Sequence, residues 1–154
     1  MKRISQILLL MLLSISISSA QSAQIKNYAE LMSALTSGEN VRTVIHYGLT
    51  KMIIDGKEEK APDAVGGMKF DTWEFFEKGA VRNEKAYVTT SESVLIGHSY
   101  YGYVFNYAKL RIYEDNKVEI IARYLDPNTF EVKMDETFYS EINDGNTGAV
   151  YLYK

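Results

Sequence analysis

Hydrophobic and polar residues alternate most regularly between Tyr107 and Tyr124. Leucine and isoleucine alternate with charged residues across Lys109–Tyr113, and valine and isoleucine alternate with charged residues across Lys117–Ile120. Alternation with a period of two is typical of a half-buried antiparallel strand. The intervening Asp115 and Asn116 tolerate the positive φ angles of a tight turn. The stretch therefore predicts a β-hairpin in the middle of an antiparallel sheet.

Shorter segments with similar alternation lie on both sides of this hairpin. Lys57–Asp63 is charged, lacks periodicity and contains a proline, which favours an exposed loop. The aromatic residues of Asp71–Lys78 also suit helical spacing, although their type favours a strand. Ser91–Ser99 has no clear pattern and stays unassigned. The predicted strands outside the hairpin are Val41–Tyr47, Met68–Phe76, Ala86–Thr90, Phe130–Met134 and Ala149–Tyr153, and the further candidate strands are Met52–Ile54 and Thr137–Ile142.

One segment, Asn27–Gly38, has the spacing of a helix. Asn27 can cap its first turn, and Glu30 follows three residues later, as in a capping box. Gly38 can adopt the left-handed conformation that ends a helix. A helix this short is marginal alone and needs a sheet to pack against. Its apolar face consists of Tyr28, Leu31, Met32 and Leu35.

The order of these elements predicts an α+β fold. We expect an antiparallel β-sheet meander of six to eight strands, with the one N-terminal helix packed on it. The chain shows no internal repeat, low-complexity tract or linker, which favours a single domain over residues 21–154.

The first twenty residues have the layout of a cleaved signal peptide. Met1–Arg3 is basic, Ile7–Leu13 is entirely apolar, and Ser18 and Ala20 supply the small residues before a cleavage site. The apolar core is too short and too rich in serine to span a bilayer core of about 30 Å. The sequence therefore predicts a signal peptide over residues 1–20. It also predicts a periplasmic or secreted location, with no stable membrane insertion after cleavage.

The composition narrows the classes of partner and chemistry. The chain has 17 basic residues, 20 acidic residues and no cysteine. A net negative charge argues against nucleic acid as a partner. Without cysteine there are no disulfides, no thiol nucleophiles and no zinc–thiolate sites. We therefore expect the domain to be stabilised by the burial of apolar side chains.

Several segments resemble those of a known family. They are Tyr28–Gly38, Val41–Ile45, Leu110–Tyr113, Val118–Ile120, Tyr124–Pro127 and Phe138–Ile142. These segments are similar to VirK-type proteins, which are small secreted or periplasmic bacterial proteins, some from species that live on or in eukaryotic hosts. The resemblance implies export and a role at the envelope or the host, and it brings no catalytic residues with it. Members often carry cysteines near Thr50 and after Asn143, and this chain has none.

Histidine and tyrosine supply the candidate site residues. His98 follows a glycine and could act as a general base, whereas His46 lies within a predicted strand. Neither histidine has the spacing of a metal motif, and no glycine pattern cradles a phosphate, so we predict no metal and no cofactor. Tyr100, Tyr101 and Tyr103 lie together, and tyrosine offers recognition area at low entropic cost. Tyrosine also simply suits half-buried strands.

Two function classes follow from these observations. The favoured one is an exported, non-enzymatic protein that binds an unidentified protein or envelope component through His98, Tyr100, Tyr101 and Tyr103, with no catalytic residue predicted. The alternative is a small periplasmic hydrolase that uses His98 with a carboxylate. A carboxylate beside His98 in a cleft would favour the hydrolase. An exposed aromatic surface on a packed sheet would favour the binding protein.

Overall fold

The computed structural model describes residues 22–154. The predicted signal peptide lies outside these residues, so its cleavage and the location of the protein stay predictions. Within the described part, the chain forms one α-helix and eleven strands. These are β1 (Gln24–Ile25), α1 (Tyr28–Thr36), β2 (Arg42–His46), β3 (Lys51–Ile54), β4 (Lys57–Glu59), β5 (Val65–Lys69), β6 (Glu74–Phe76), β7 (Tyr87–His98), β8 (Gly102–Tyr113), β9 (Lys117–Leu125), β10 (Val132–Glu141) and β11 (Val150–Tyr153).

The strands form two antiparallel sheets. The smaller sheet has the order β1-β11-β2-β5, and the larger has the order β4-β3-β10-β9-β8-β7-β6. The prediction of mostly antiparallel structure with one helix is confirmed. The predicted meander of six to eight strands is wrong, because the described residues hold eleven strands in two sheets. Alternation reveals that a segment is a strand but does not reveal which sheet it joins.

The predicted central hairpin is confirmed as β8 and β9. Asn116 closes the turn with a φ of 68°. The register places Ile112 opposite Val118 and Leu110 opposite Ile120. All four of these side chains are buried. The hairpin therefore crosses the middle of the larger sheet and supplies part of its core.

The helix begins as the sequence predicts. The Asn27 side chain accepts a hydrogen bond from the Glu30 N–H at 3.0 Å. The Glu30 carboxylate accepts one from the Lys26 N–H at 2.8 Å, one residue earlier than a standard capping box requires. The Tyr28 N–H donates to the Asn116 side chain at 2.7 Å, which joins the helix to the β8–β9 turn. Gly38, with a φ of 77°, follows the helix end.

Side chains from the helix and from both sheets form one core. Burying each large apolar side chain contributes about 1.5–3 kcal/mol. The fully buried ones include Leu31 of α1, Ile45 of β2, Leu152 of β11, Val88 of β7, Leu110 of β8, Ile120 of β9 and Phe138 of β10.

Some segments differ from their predictions. Lys57–Glu59 is a strand rather than a loop, because Asp55 and Gly56 form a tight positive-φ turn that pairs it with β3. The predicted strand Met68–Phe76 divides into β5 and β6, which belong to different sheets. Phe70 is buried between them, at the point where the chain changes sheet.

The unassigned segment Ser91–Ser99 also proves to be regular structure. Ser91–His98 is the second part of the twelve-residue strand β7, paired with β8 along its whole length. Most of its side chains are exposed on both faces, so the segment lacks the hydrophobic contrast that marks a half-buried strand.

Candidate functional site

The twelve-residue strands β7 and β8 form a long hairpin whose two halves have different surroundings. In the proximal half, Tyr87–Thr90 pairs with Leu110–Tyr113, and Leu110 is fully buried. In the distal half, Ser91–His98 pairs with Gly102–Lys109, and Leu95 is 53% exposed. The distal half therefore extends past the core and brings apolar side chains to the surface.

The turn at the distal end, Ser99–Tyr101, is held by a histidine. The Nδ1 atom of His98 accepts hydrogen bonds from the backbone N–H of Tyr100 at 3.1 Å and of Tyr101 at 3.2 Å. Gly102 follows with a φ of 72°, a conformation that suits glycine. Because Nδ1 is an acceptor, the proton of the neutral ring lies on Nε2.

Four aromatic rings pack together at this end, and we call them the tip cluster: His98, Tyr100, Tyr101 and Tyr124. The His98 ring lies 5.0 Å from the Tyr101 ring and 5.1 Å from the Tyr124 ring, measured between centroids. Tyr100 meets Tyr101 edge-on at 4.8 Å. Tyr100 is nevertheless 83% exposed. The cluster is thus ordered by its own contacts while much of its surface faces solvent.

Tyr103 lies apart from the tip cluster, on the opposite face of β8. Leu110 and Ile112 point into the core, so the odd-numbered residues of β8 point outward. Tyr103 is 73% exposed on that outer face, opposite Gly97. The structure therefore brings together three of the four predicted site residues and places the fourth, Tyr103, on the other face of the hairpin.

The outer face of the distal half carries an apolar row that the sequence analysis missed. Leu95 lies opposite Phe105, and the Phe105 ring stacks on the exposed Phe130 ring with centroids 6.4 Å apart. Phe130 adopts a φ of 59°, which is uncommon for a bulky residue. The turn before Phe130 is held by the Asp126 carboxylate, which accepts hydrogen bonds from the N–H groups of Thr129 and Asn128. These hydrogen bonds lower the pKa of Asp126.

Tyr124 was also missed as a site residue, although the sequence contained a signal for it. Once the β8–β9 turn is placed, counting along the hairpin puts Tyr124 opposite Asn106, on the same face as the core residues. Its approach to His98 depends on how the distal end folds, which alternation does not reveal.

The surroundings of His98 are aromatic rather than acidic. Within residues 22–154, no carboxylate forms a hydrogen bond or ion pair with His98, and no three histidine, aspartate or glutamate residues converge as metal ligands. His46, the other histidine, packs its ring against Tyr151 at 5.1 Å. The arrangement offers ring faces and hydroxyl groups, which suit recognition more than proton transfer.

Comparison with known proteins places the chain in a family. A family model described as VirK protein matches residues 24–130, which is more than half of the chain. The chain belongs to the VirK family. The resemblance seen in the sequence is thereby confirmed.

A solved structure shows the same fold as this VirK-family chain. It is the crystal structure of lpg1832, a VirK family protein from Legionella pneumophila, with a TM-score of 0.65 and 12% sequence identity. The likeness covers 85% of this chain and 98% of that one. No curated protein matches the chain. A sequence identity this low shows a shared fold, and it does not allow site residues to be assigned from that protein to this chain.

A crevice lies between the two sheets of this VirK-family chain, with a volume of about 250 Å³. Burial raises the pKa of Tyr47, which lines it. A Cβ atom on Gly66 would lie 3.0 Å from the Tyr47 ring, so a larger residue there would make the ring shift. Glu92 is the single carboxylate in the lining, and it has no acidic partner there for general acid–base chemistry.

The described residues also bear on membrane attachment. Between residues 22 and 154, this VirK-family chain has no helix with the length and apolar character needed to cross a membrane.

Proposed function

We propose that this VirK-family chain is an exported, non-enzymatic binding protein that holds a partner, a protein or envelope component of the bacterium or its host, at the distal end of the long hairpin. The observation that carries the proposal is the tip cluster, in which exposed tyrosines are ordered by contacts with His98.

Pre-ordering favours binding for an entropic reason. A partner that meets Tyr100 and Tyr101 need not first immobilise them, because ring contacts and the His98 hydrogen bonds already restrict them. Rigid aromatic side chains lose little conformational entropy on association. The exposed apolar row on the outer face extends this surface around Tyr103. Apolar surface of this kind is typical of interaction sites.

The hydrolase alternative gains no support from the geometry around His98. A general base needs a free lone pair, and the Nδ1 lone pair accepts two backbone N–H groups. The other ring nitrogen carries the proton in the neutral form. Proton abstraction by His98 would therefore require the turn to open.

The proposal is tested by capturing partners with the mature chain, residues 21–154, from envelope and host-cell fractions. We expect the combined substitution Tyr100→Ala, Tyr101→Ala and Tyr103→Ala to abolish the specific partners while leaving the melting temperature nearly unchanged. Tyr139→Ala is the matched control, because Tyr139 is a 45% exposed tyrosine on β10. Unchanged partners in the triple variant would refute the proposed surface.

Export is tested separately by fractionation and amino-terminal sequencing. We expect a mature protein that begins at Gln21 in the periplasm or the medium. An intact amino terminus in the cytosol would contradict this part of the proposal.

A further inference from the structure

The outer edge of the distal half of β7 is the longest unpaired strand edge in the described chain. Natural sheets protect their edges with short strands or charged residues. Two end strands follow this rule, since β1 has two residues and Lys57–Glu59 of β4 is charged throughout. Over Ser91–His98, by contrast, β7 has a strand neighbour on one side only, because β6 covers no more than Tyr87–Thr89. Eight residues with one acidic side chain, Glu92, are left along that edge.

The backbone of this edge is oriented for pairing. The Glu114 N–H donates to the Ala86 carbonyl at 3.0 Å, which fixes the alternation of hydrogen bonds between β7 and β8. Even-numbered residues of β7 exchange hydrogen bonds with β8, so odd-numbered residues turn theirs to the other side. The residues with N–H and C=O groups on the open side are Ser91, Ser93, Leu95 and Gly97.

We propose that a second copy of this chain pairs antiparallel with this edge, with Leu95 of each copy at the two-fold axis. The edges of identical strands are self-complementary when the axis passes through a hydrogen-bonded pair. This register places Val94 opposite the partner subunit's Ile96 on the inner face. It also places Glu92 opposite the partner subunit's His98.

The contact between Glu92 and histidine favours this register over the one whose axis lies at Val94. The Nδ1 atom of His98 is occupied by its own turn, so Nε2–H is available to donate to a carboxylate. An axis at Val94 would instead put the partner subunit's His98 opposite Thr90, whose hydroxyl already donates to the Thr72 carbonyl. In that register, the second copy would lie against the segment that precedes β6.

The outer face gains a matching apolar contact. Leu95 is 53% exposed and lies beside Phe105, so pairing would join the two apolar rows across the axis. A contact between two strand edges buries little surface compared with the roughly 1,200–2,000 Å² of accessible surface that stable complexes bury. The dimer should therefore form in a concentration-dependent way. The inference goes beyond the proposed function, because it names a second copy of this chain as a partner and places it on the open edge of β7.

Sedimentation of the mature chain over a range of concentrations tests for the dimer. We expect the mean mass to rise toward twice the monomer mass, and a monomer at every concentration would overturn the proposal. Ser93→Pro removes an N–H from the open edge and should abolish association, as should Leu95→Lys, which sets like charges face to face. Val81→Lys is the matched control, because Val81 is also 53% exposed but lies in the loop after β6. Equal dimerisation of the Leu95→Lys variant and this control would refute the edge contact.

Single cysteines test the register, since the chain has none of its own. With Leu95 at the axis, the two Leu95 Cα atoms would lie about 5.5 Å apart, within the range of a disulfide. The two Ser91 Cα atoms would lie about 27 Å apart along the strands. Under mild oxidation, Leu95→Cys should form a cross-linked dimer and Ser91→Cys should not. Equal cross-linking of both variants, or none at Leu95→Cys, would overturn the pairing.

Discussion

The proximal and distal halves of the long hairpin share two strands but differ in what covers them. In the proximal half, the inward side chains of Val88 and Leu110 join the core with α1 and the smaller sheet. In the distal half, Val94 occupies the same inward face but is 47% exposed. The difference shows that one strand can supply core side chains at one end and leave the side chains of the same face exposed at the other.

The turns at the two ends repeat this contrast. At the proximal end, the Asn116 side chain accepts a hydrogen bond from the Tyr28 N–H, so the β8–β9 turn is joined to the helix. At the distal end, the His98 ring accepts hydrogen bonds only from its own turn, Ser99–Tyr101. The proximal turn is thus joined to the helix by a hydrogen bond, whereas the distal turn is held by its own hydrogen bonds and by ring contacts with Tyr124 of β9.

Truncating a buried leucine in the proximal half and an exposed leucine in the distal half should give the largest difference in stability. Leu110→Ala leaves a cavity in the core, so we expect it to lower the free energy of unfolding by about 2–5 kcal/mol. Leu95→Ala removes an exposed side chain and should change it by about 0.5 kcal/mol or less. Denaturant titration of both variants at low protein concentration measures the two values. Similar losses would mean that the distal half also belongs to the core.

Substitutions at the proximal turn should have an intermediate effect. Asn116→Gly keeps the positive φ but removes the acceptor for the Tyr28 N–H, and should cost about 1 kcal/mol. Asn116→Ala also forces alanine into the left-handed region, and should cost about 2 kcal/mol in total. Thermal and denaturant unfolding of the pair separates the two contributions. The account of this turn fails if alanine is tolerated as well as glycine.

The corresponding substitution at the distal turn should cause a smaller loss of stability, confined to that turn. His98→Ala removes an acceptor for two exposed N–H groups that water can replace, so we expect a loss of about 0.5 kcal/mol or less. Amide exchange at Tyr100 and Tyr101 should accelerate, while exchange in the core strands stays the same. A global loss as large as that of Asn116→Ala would contradict the local role of these two hydrogen bonds.

An ion pair at the proximal end should make the smallest contribution. The Lys85 ammonium donates to Asp115 at 2.6 Å and lowers the pKa of that carboxyl group. Because the folded pKa is lowered, the stabilisation is present above the unfolded value of about 3.9 and disappears as pH falls through the folded value.

Lys85→Met should therefore destabilise the fold only slightly at neutral pH, since solvent screens an ion pair between partly exposed side chains. The difference from the unsubstituted chain should vanish in acid, as unfolding at several pH values would show. Lys60→Met, in the loop after β4, is the control. A cost that is unchanged at low pH would rule out the ion pair as its cause.

The sequence predicted those parts of the fold in which burial follows the secondary-structure period. Leu110 and Ile120 alternate with charged residues, so the central hairpin was placed correctly. The helix was placed by Asn27 and Glu30, whose capping contacts are local. In these segments the tertiary environment reinforces what neighbouring residues already favour.

The remaining parts depend on contacts between distant segments. Ser91–His98 is a strand because β8 pairs with it, and its exposure on both faces removes the pattern that would predict it. Phe70 continues the alternation of β5 although the chain is changing sheet there. At the site, the sequence identified Tyr100 and Tyr101 by composition. It did not show that Tyr124 approaches from β9 to pack against the His98 ring.

Amide hydrogen exchange measured residue by residue in dilute solution tests the division of the hairpin most directly. We predict that the amides of Leu110 and Ile112 exchange only through global unfolding, whereas those of Ser93 and Leu95, on the open edge, exchange rapidly. Equal protection of both pairs would contradict the claim that the proximal half belongs to the core of the fold while the distal half extends past it.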